Sequence, residues 1–305
     1  MSCASDDYTV CGNTEPDVAG YPVKVRLSLS AAPTGGTRAS SGLIPDYENF
    51  IWDVWVVQYS ANGILLSGGT RHYRGNVDVG TLQVTDADMT ADNGTQGVTL
   101  MSGQSTVCIV ANMYPREMSP TVNWPDNLEA FKRMKVDVEE KLQQAAAGTL
   151  EQMPMCGYWT GNVEQGTMLS TELGRMFVKV RVTLTNGTGE DLTGVDVSLT
   201  NVPKKISLFP DVQGDPLGAD CYTDALAGDR IETLAAKGDG RTASLYYYMA
   251  PNTCNDAEYA TTLNVSTGEG IKGSLLLGNN PPSEAERNYS LYANSIYLFG
   301  ITLNK

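Results

Sequence analysis

Tyr21-Pro22-Val23-Lys24-Val25-Arg26-Leu27-Ser28-Leu29-Ser30 alternates apolar and polar residues without a break. Successive side chains of a strand point to opposite faces, so Val23, Val25, Leu27 and Leu29 fall on one side and the polar residues on the other. That is the pattern of a half-buried strand lining a sandwich, and its place near the amino end makes it an expected edge strand. Ala31 to Gly42 follows as a loop rich in Gly, Ser and Thr, with Arg38 its only charge. Upstream, residues 1–20 have little apolar periodicity and read as a tether. Met1 to Asp7 has no basic stretch followed by an apolar one, so no signal peptide is expected there. Ser2-Cys3, followed by small and acidic residues, looks like the stump of a lipoprotein signal and marks Cys3 as a lipidation candidate.

Downstream, Ile51-Trp52-Asp53-Val54-Trp55-Val56-Val57-Gln58-Tyr59 is bulky and apolar on both faces over most of its length. Ser60-Ala61-Asn62-Gly63 turns it toward Ile64-Leu65-Leu66, and Asn-Gly is the strongest short hairpin signal. Further strands are expected near 75–84, 97–101 and 105–113. One long helix is expected from about Asp126 to Ala147: Pro125 suits its first turn, Leu128, Phe131, Met134, Val138 and Leu142 form a stripe, and Gly148 can end it. After Gly157 the strand rhythm resumes. Met176, Val178, Val180, Val182 and Leu184 share one face, Asn186 to Gly189 turns, and Val195, Val197 and Leu199 alternate next. Strands near 244–249, 261–265, 273–277 and 295–303 complete the series. Short strands at this spacing with one long helix predict an all-β chain of two tandem antiparallel β-sandwich domains, 21–157 and 158–305, behind the 1–20 tether.

Composition and motifs exclude several function classes. The chain has 305 residues, with Lys+Arg 21 and Asp+Glu 35, hence 21 − 35 = −14. That field repels polyanions, and no basic run offsets it, so nucleic acid is not an expected partner and a membrane would be met only through a lipid anchor. His72, the sole histidine, lies in Thr70-Arg71-His72-Tyr73-Arg74 after a Gly-Gly turn and is expected to be exposed and non-catalytic. No zinc-ligand spacing is present. Asp86, Asp88, Asp92, Asn93 and Gly94 lack the EF-hand order and read as a solvated turn. No phosphate-cradling loop occurs, so no enzyme activity, metal or cofactor is expected. Of six cysteines, Cys108 sits in the apolar run 107–110 as a small buried thiol, while Cys221 and Cys254 lie in loop-like segments and are candidates for a disulfide.

Several segments, in order along nearly the whole chain, resemble the fimbrillin family, the two-domain subunits of Bacteroidales type V pili. They are Pro22–Ser30 followed by Thr37-Arg38-Ala39, the Trp55–Gly63 strand and turn, Val107–Asn112, Met155-Cys156-Gly157 before Arg175–Leu184, Tyr246-Tyr247-Tyr248-Met249-Ala250-Pro251-Asn252, and Asn294-Ser295-Ile296-Tyr297. Where the family often has Pro-Glu-Asn, this chain has Ala250-Pro251-Asn252. The resemblance implies transthyretin-like sandwiches, an exported lipoprotein precursor anchored through Cys3 at the outer membrane, and a cell-surface fimbrium as destination. It further implies cleavage at Arg38–Ala39 and loss of the Val23, Val25, Leu27, Leu29 strand. A neighbour's C-terminal strand then refills the gap, the matching donor face here being Tyr297, Phe299, Ile301 and Leu303. The implied partners are other pilus subunits, in a homo- or hetero-polymer, and host or bacterial surface ligands. A non-polymerising anchor or tip adhesin and a surface glycan-binding lipoprotein are the alternatives.

Overall fold

The computed structural model describes residues 20–32, 46–75, 83–84, 89–91, 97–113, 123–147, 150, 152–209, 221–223, 226–278 and 288–305. Cys3, Arg38, Ala39 and the acidic turn at 86–94 lie outside the described residues, except that Met89–Ala91 forms a short strand. The described chain is dominated by strands. In order they are β1 (Pro22–Ala31), β2 (Asp53–Ser60), β3 (Arg71–Gly75), β4 (Gln83–Val84), β5 (Met89–Ala91), β6 (Val98–Met101) and β7 (Gly103–Ala111). Two helices, α1 (Leu128–Arg133) and α2 (Glu139–Ala146), flank β8 (Lys135–Asp137). Then come β9 (Met155–Val163), β10 (Met168–Arg175), β11 (Val178–Asn186), β12 (Leu192–Thr200), β13 (Val202–Pro203), β14 (Lys205–Ser207) and β15 (Tyr222–Thr223). The last are β16 (Leu226–Leu234), β17 (Thr242–Met249), β18 (Thr262–Ser266), β19 (Lys272–Leu276) and β20 (Ile296–Leu303).

The first sheet runs β4-β1-β10-β9-β7-β2-β3-β5, with β6 also on β1. All eight residues of β2 are buried, which explains why its sequence is apolar on both sides. Val54 and Val56 join Val107 and Ile109 of β7 in the core that receives β1, whereas Trp55, Val57 and Tyr59 join Cys108 and Val110 in a second core reaching into the C-terminal half. Strands covered on both faces lose the alternation of half-buried ones. β9, which straddles the expected boundary at 157, and β10, which lies beyond it, are hydrogen-bonded into this first sheet through β7 and β1.

In the C-terminal half, β11 lies between β17 and β20, and a four-stranded sheet runs β16-β12-β18-β19. Val178, Val180, Val182 and Leu184 of β11 and Val195, Val197 and Leu199 of β12 are all buried in one cluster.

Four expectations change. First, β1 is no edge strand: both of its edges are paired, as set out below. Second, the sheets are not purely antiparallel, because β1–β10 and β11–β20 pair parallel. Third, the long helix is two short ones. Met134 closes α1 with extended backbone (φ −65°, ψ 130°), and Lys135–Asp137 pairs instead with Lys205–Ser207 of β14. A β-branched Val136 gains a strand partner there that a continuous helix would forgo. Of the stripe, Phe131, Val138 and Leu142 are buried, and Leu128 and Met134 pack half-buried against the same core. Fourth, His72 is buried, its Nε2 3.3 Å from Asp53 Oδ1 and its ring 5.0 Å from that of Trp55. The 3-10 turn Ser67–Gly69 feeds β3 directly against β2, so His72 faces Trp55 in register.

Candidate functional site: the slot held by the first strand

β1 occupies a slot with two walls. Residues 22–25 pair antiparallel with β6, residues 29–30 antiparallel with β4, and residues 26–31 parallel with β10. Both edges are therefore spent: Tyr21 O accepts from Ser102 N at 3.0 Å, while Lys24 O accepts from Gly166 N at 2.7 Å and Arg26 N donates to Thr167 O at 2.7 Å. Val23, Val25, Leu27 and Leu29 are between 1 % and 3 % exposed. They meet Val54, Val56, Val98, Leu100, Val107, Ile109, Leu169 and Leu173 in one cluster. Pro22, Lys24 and Arg26 stay exposed on the other face.

The β6 wall is fixed by polar side chains that the sequence reading missed. Gln58, fully buried, donates through Nε2 to Met101 O at 2.7 Å and accepts the Met101 N–H through Oε1 at 2.8 Å. The Tyr73 hydroxyl accepts from Thr99 N at 3.2 Å, and burial pushes that phenol above its ordinary value, so it stays neutral. A glutamine inside an apolar strand was the available signal for the first. Nothing local signals that β6 and β10 are the walls, since that depends on pairings made across the chain.

Arg175, at the end of β10, closes the far end of the slot. Its Nη1 donates to Ala32 O and to Asn294 Oδ1, each at 3.0 Å, and its Nη2 reaches Asn49 Oδ1. Burial is the main influence on this guanidinium and lowers its pKa, with Glu48 and Tyr248 opposing. Glu48 in turn accepts from Lys179 Nζ at 2.7 Å and from the Tyr248 hydroxyl. The exit of β1, the segment 46–49 and the approach to β20 thus meet at one polar cluster.

The proposed donor strand sits elsewhere. β20 pairs parallel with β11 over eight residues, from Lys179–Ile296 to Asn186–Leu303. Leu303 is buried, and Tyr297, Phe299 and Ile301 are half-buried against the C-terminal core, sharing a face as expected. Leu298 is 51 % exposed on the opposite face, while Ile296 is buried. Burial raises the Tyr297 phenol, whose oxygen accepts from Tyr292 N at 3.1 Å. Cys221 and Cys254, the candidates for a disulfide, are both half-buried. The Cys254 thiol points at Tyr289 O, 3.8 Å away, and burial pushes it up to about 11.

No protein-family model and no curated protein matches the sequence. Solved structures do match. The chain is similar to the tip fimbrial protein Mfa3 from Porphyromonas gingivalis, with C-terminal truncation, at TM-score 0.61 and 15% identity over 92% of this chain and 95% of that one. It is similar to a candidate cell-adhesion protein from Bacteroides eggerthii at TM-score 0.60 and 13% identity, over 95% and 88%. A second such candidate, from Parabacteroides distasonis, matches at TM-score 0.59 and 13% identity, over 92% and 88%. The chain therefore has the fold of these Bacteroidales fimbrial and cell-adhesion proteins, in agreement with the fimbrillin resemblance its sequence carries.

Proposed function

We propose that this chain is a structural subunit of a cell-surface adhesive pilus and not an enzyme. In this reading it consists of two tandem transthyretin-like sandwiches, the first ending with β10 at Arg175. It is exported as a lipoprotein anchored through Cys3 and is activated by cleavage at Arg38–Ala39. Loss of the first strand then lets another subunit's strand complete the sheet. The observation that carries the proposal is the setting of β1. It is the first described strand, so one cut after it severs it from the rest of the chain, and it lies between walls on both sides. Removing a true edge strand would merely shorten a sheet; removing this one leaves a groove. Its four apolar side chains are worth roughly 1.5–3 kcal/mol each when buried, about 6–12 together. That rivals the stability of an ordinary domain, about 5–15 kcal/mol. Strand addition is the relief for such a groove.

An arginine-specific protease supplies the test. Cleavage of the wild-type chain should give a new amino terminus at Ala39 and higher oligomers by light scattering, and Arg38→Ala should give neither. A chain cut at Ala39 that stays monomeric at every concentration tested sinks the proposal.

A second reading is favoured by the eight-residue pairing of β20 with β11. A subunit that keeps its last strand in its own sheet accepts a neighbour without donating to one, as an anchor or tip adhesin does. Cleaved chains mixed with a strand-donating subunit would then stop at one-to-one complexes.

A further inference from the structure

We propose that the strand accepted by this slot comes from a different subunit and not from β20 of a second copy. The partner is an extended segment with Val- or Leu-sized side chains at four alternate positions and polar ones between. This rests on the strand-exchange reading above.

The slot is shaped by what fills it. Val23, Val25, Leu27 and Leu29 are nearly wholly enclosed, and Val54, Val56, Val98, Leu100, Val107 and Ile109 around them are all 0 % exposed. Interiors packed to that degree resist added volume. On the opposite face the slot shows Pro22, Lys24 and Arg26 to solvent, so a replacement strand needs polar residues there.

β20 fails both requirements. Laid in the direction of β1, its Tyr297 and Phe299 rings fall at the Val23 and Val25 positions. Reversed, the rings fall at Leu29 and Leu27, still too large, and a phenol enters an apolar core. Sliding it by two residues exchanges one ring for Lys305. Its other face, Ile296-Leu298-Gly300-Thr302, brings a hole at the glycine and buries a hydroxyl. That choice would also turn Tyr297, Phe299, Ile301 and Leu303 out to water. Withdrawal of β20 would moreover strip β11 of a partner along eight residues.

A peptide-exchange experiment on the full chain tests this. A site-specific protease sequence inserted between residues 33 and 45 allows β1 to be nicked free, and labelled peptides then compete for the slot. The peptide 20–32 should enter. The peptide 294–305 should bind roughly 100-fold more weakly, given two oversized rings, and its Tyr297→Val/Phe299→Val form should recover at least about tenfold. Equal binding by the unaltered 294–305 and 20–32 peptides overturns the proposal in favour of a homopolymer. If not even 20–32 exchanges into the nicked chain, the strand-exchange reading itself fails and this inference falls with it.

Discussion

Arg175 holds three remote pieces of chain: Ala32 at the end of β1, Asn49, and Asn294 ahead of β20. A buried guanidinium is costly to desolvate, but removing it after its partners have arranged around it costs more, because the acceptors grouped there lose its charged donors. Arg175→Ala should lower the unfolding free energy by about 2–4 kcal/mol, read from urea denaturation. Amide exchange should quicken locally at Ala32 and Asn294, which a uniformly destabilised chain would not single out. Asn112 is a second residue whose side chain orders backbone. It adopts φ 62°, a conformation Asn tolerates, and its amide donates to Phe50 O at 2.8 Å and Met153 O at 2.7 Å. Neither role is legible in the sequence. The partners are 41 or more residues away, and an Arg or Asn in a β-rich chain ordinarily reads as a surface or turn residue.

At the scale of elements, β1 was legible because one of its faces meets a core and the other meets water, and its burial alternates accordingly. Leu27→Ala in β1 should cost about 2–5 kcal/mol, the range for cavities left by a buried leucine. Thermal unfolding of the uncut chain measures it, and an unchanged midpoint would mean that the strand contributes little to the fold. β12 was legible for the same reason as β1, and β11 because its buried apolar residues alternate with half-buried Arg181, Thr183 and Thr185. The parallel partners were not legible, since no local signal distinguishes a parallel neighbour from an antiparallel one. The helix was misread because Phe131, Val138 and Leu142 of its stripe are buried even though the chain extends between them; the choice was made by β14, about 70 residues later. The Asn62-Gly63 turn was sound, with Gly63 at φ 73°, but the return is a bridge at Leu65 and not a full strand. Of the candidate site, the apolar face of the occupant could be read, and its walls could not.

Across the whole molecule, one apolar cluster runs from Trp55 and Cys108 in the first sheet through Phe131 and Leu142 to Val180, Val197 and Leu263. Cys108 lies within it, and burial pushes its thiol from an ordinary 9.0 up to about 12. The folded chain therefore keeps a proton that the unfolded chain releases, and stability conferred below pH 9 declines as pH rises from 9 toward 12. Tyr73 acts in the same direction, its phenol also being raised by burial. Urea midpoints measured from pH 8 to 11 should fall, and Cys108→Val should make the fall shallower. A midpoint that climbs over this range would contradict the burial of both groups. The parallel β1–β10 ladder carries one more consequence, concerning time. Arg26 pairs with Met168, so 168 − 26 = 142 positions separate them. A chain emerging amino end first must wait for more than half of the 305 residues to appear before β1 can be enclosed. Contacts that span so much sequence form slowly. In that interval Val23, Val25, Leu27 and Leu29 face water, and the newborn chain briefly carries an uncovered apolar strand that any passing sheet edge could pair with.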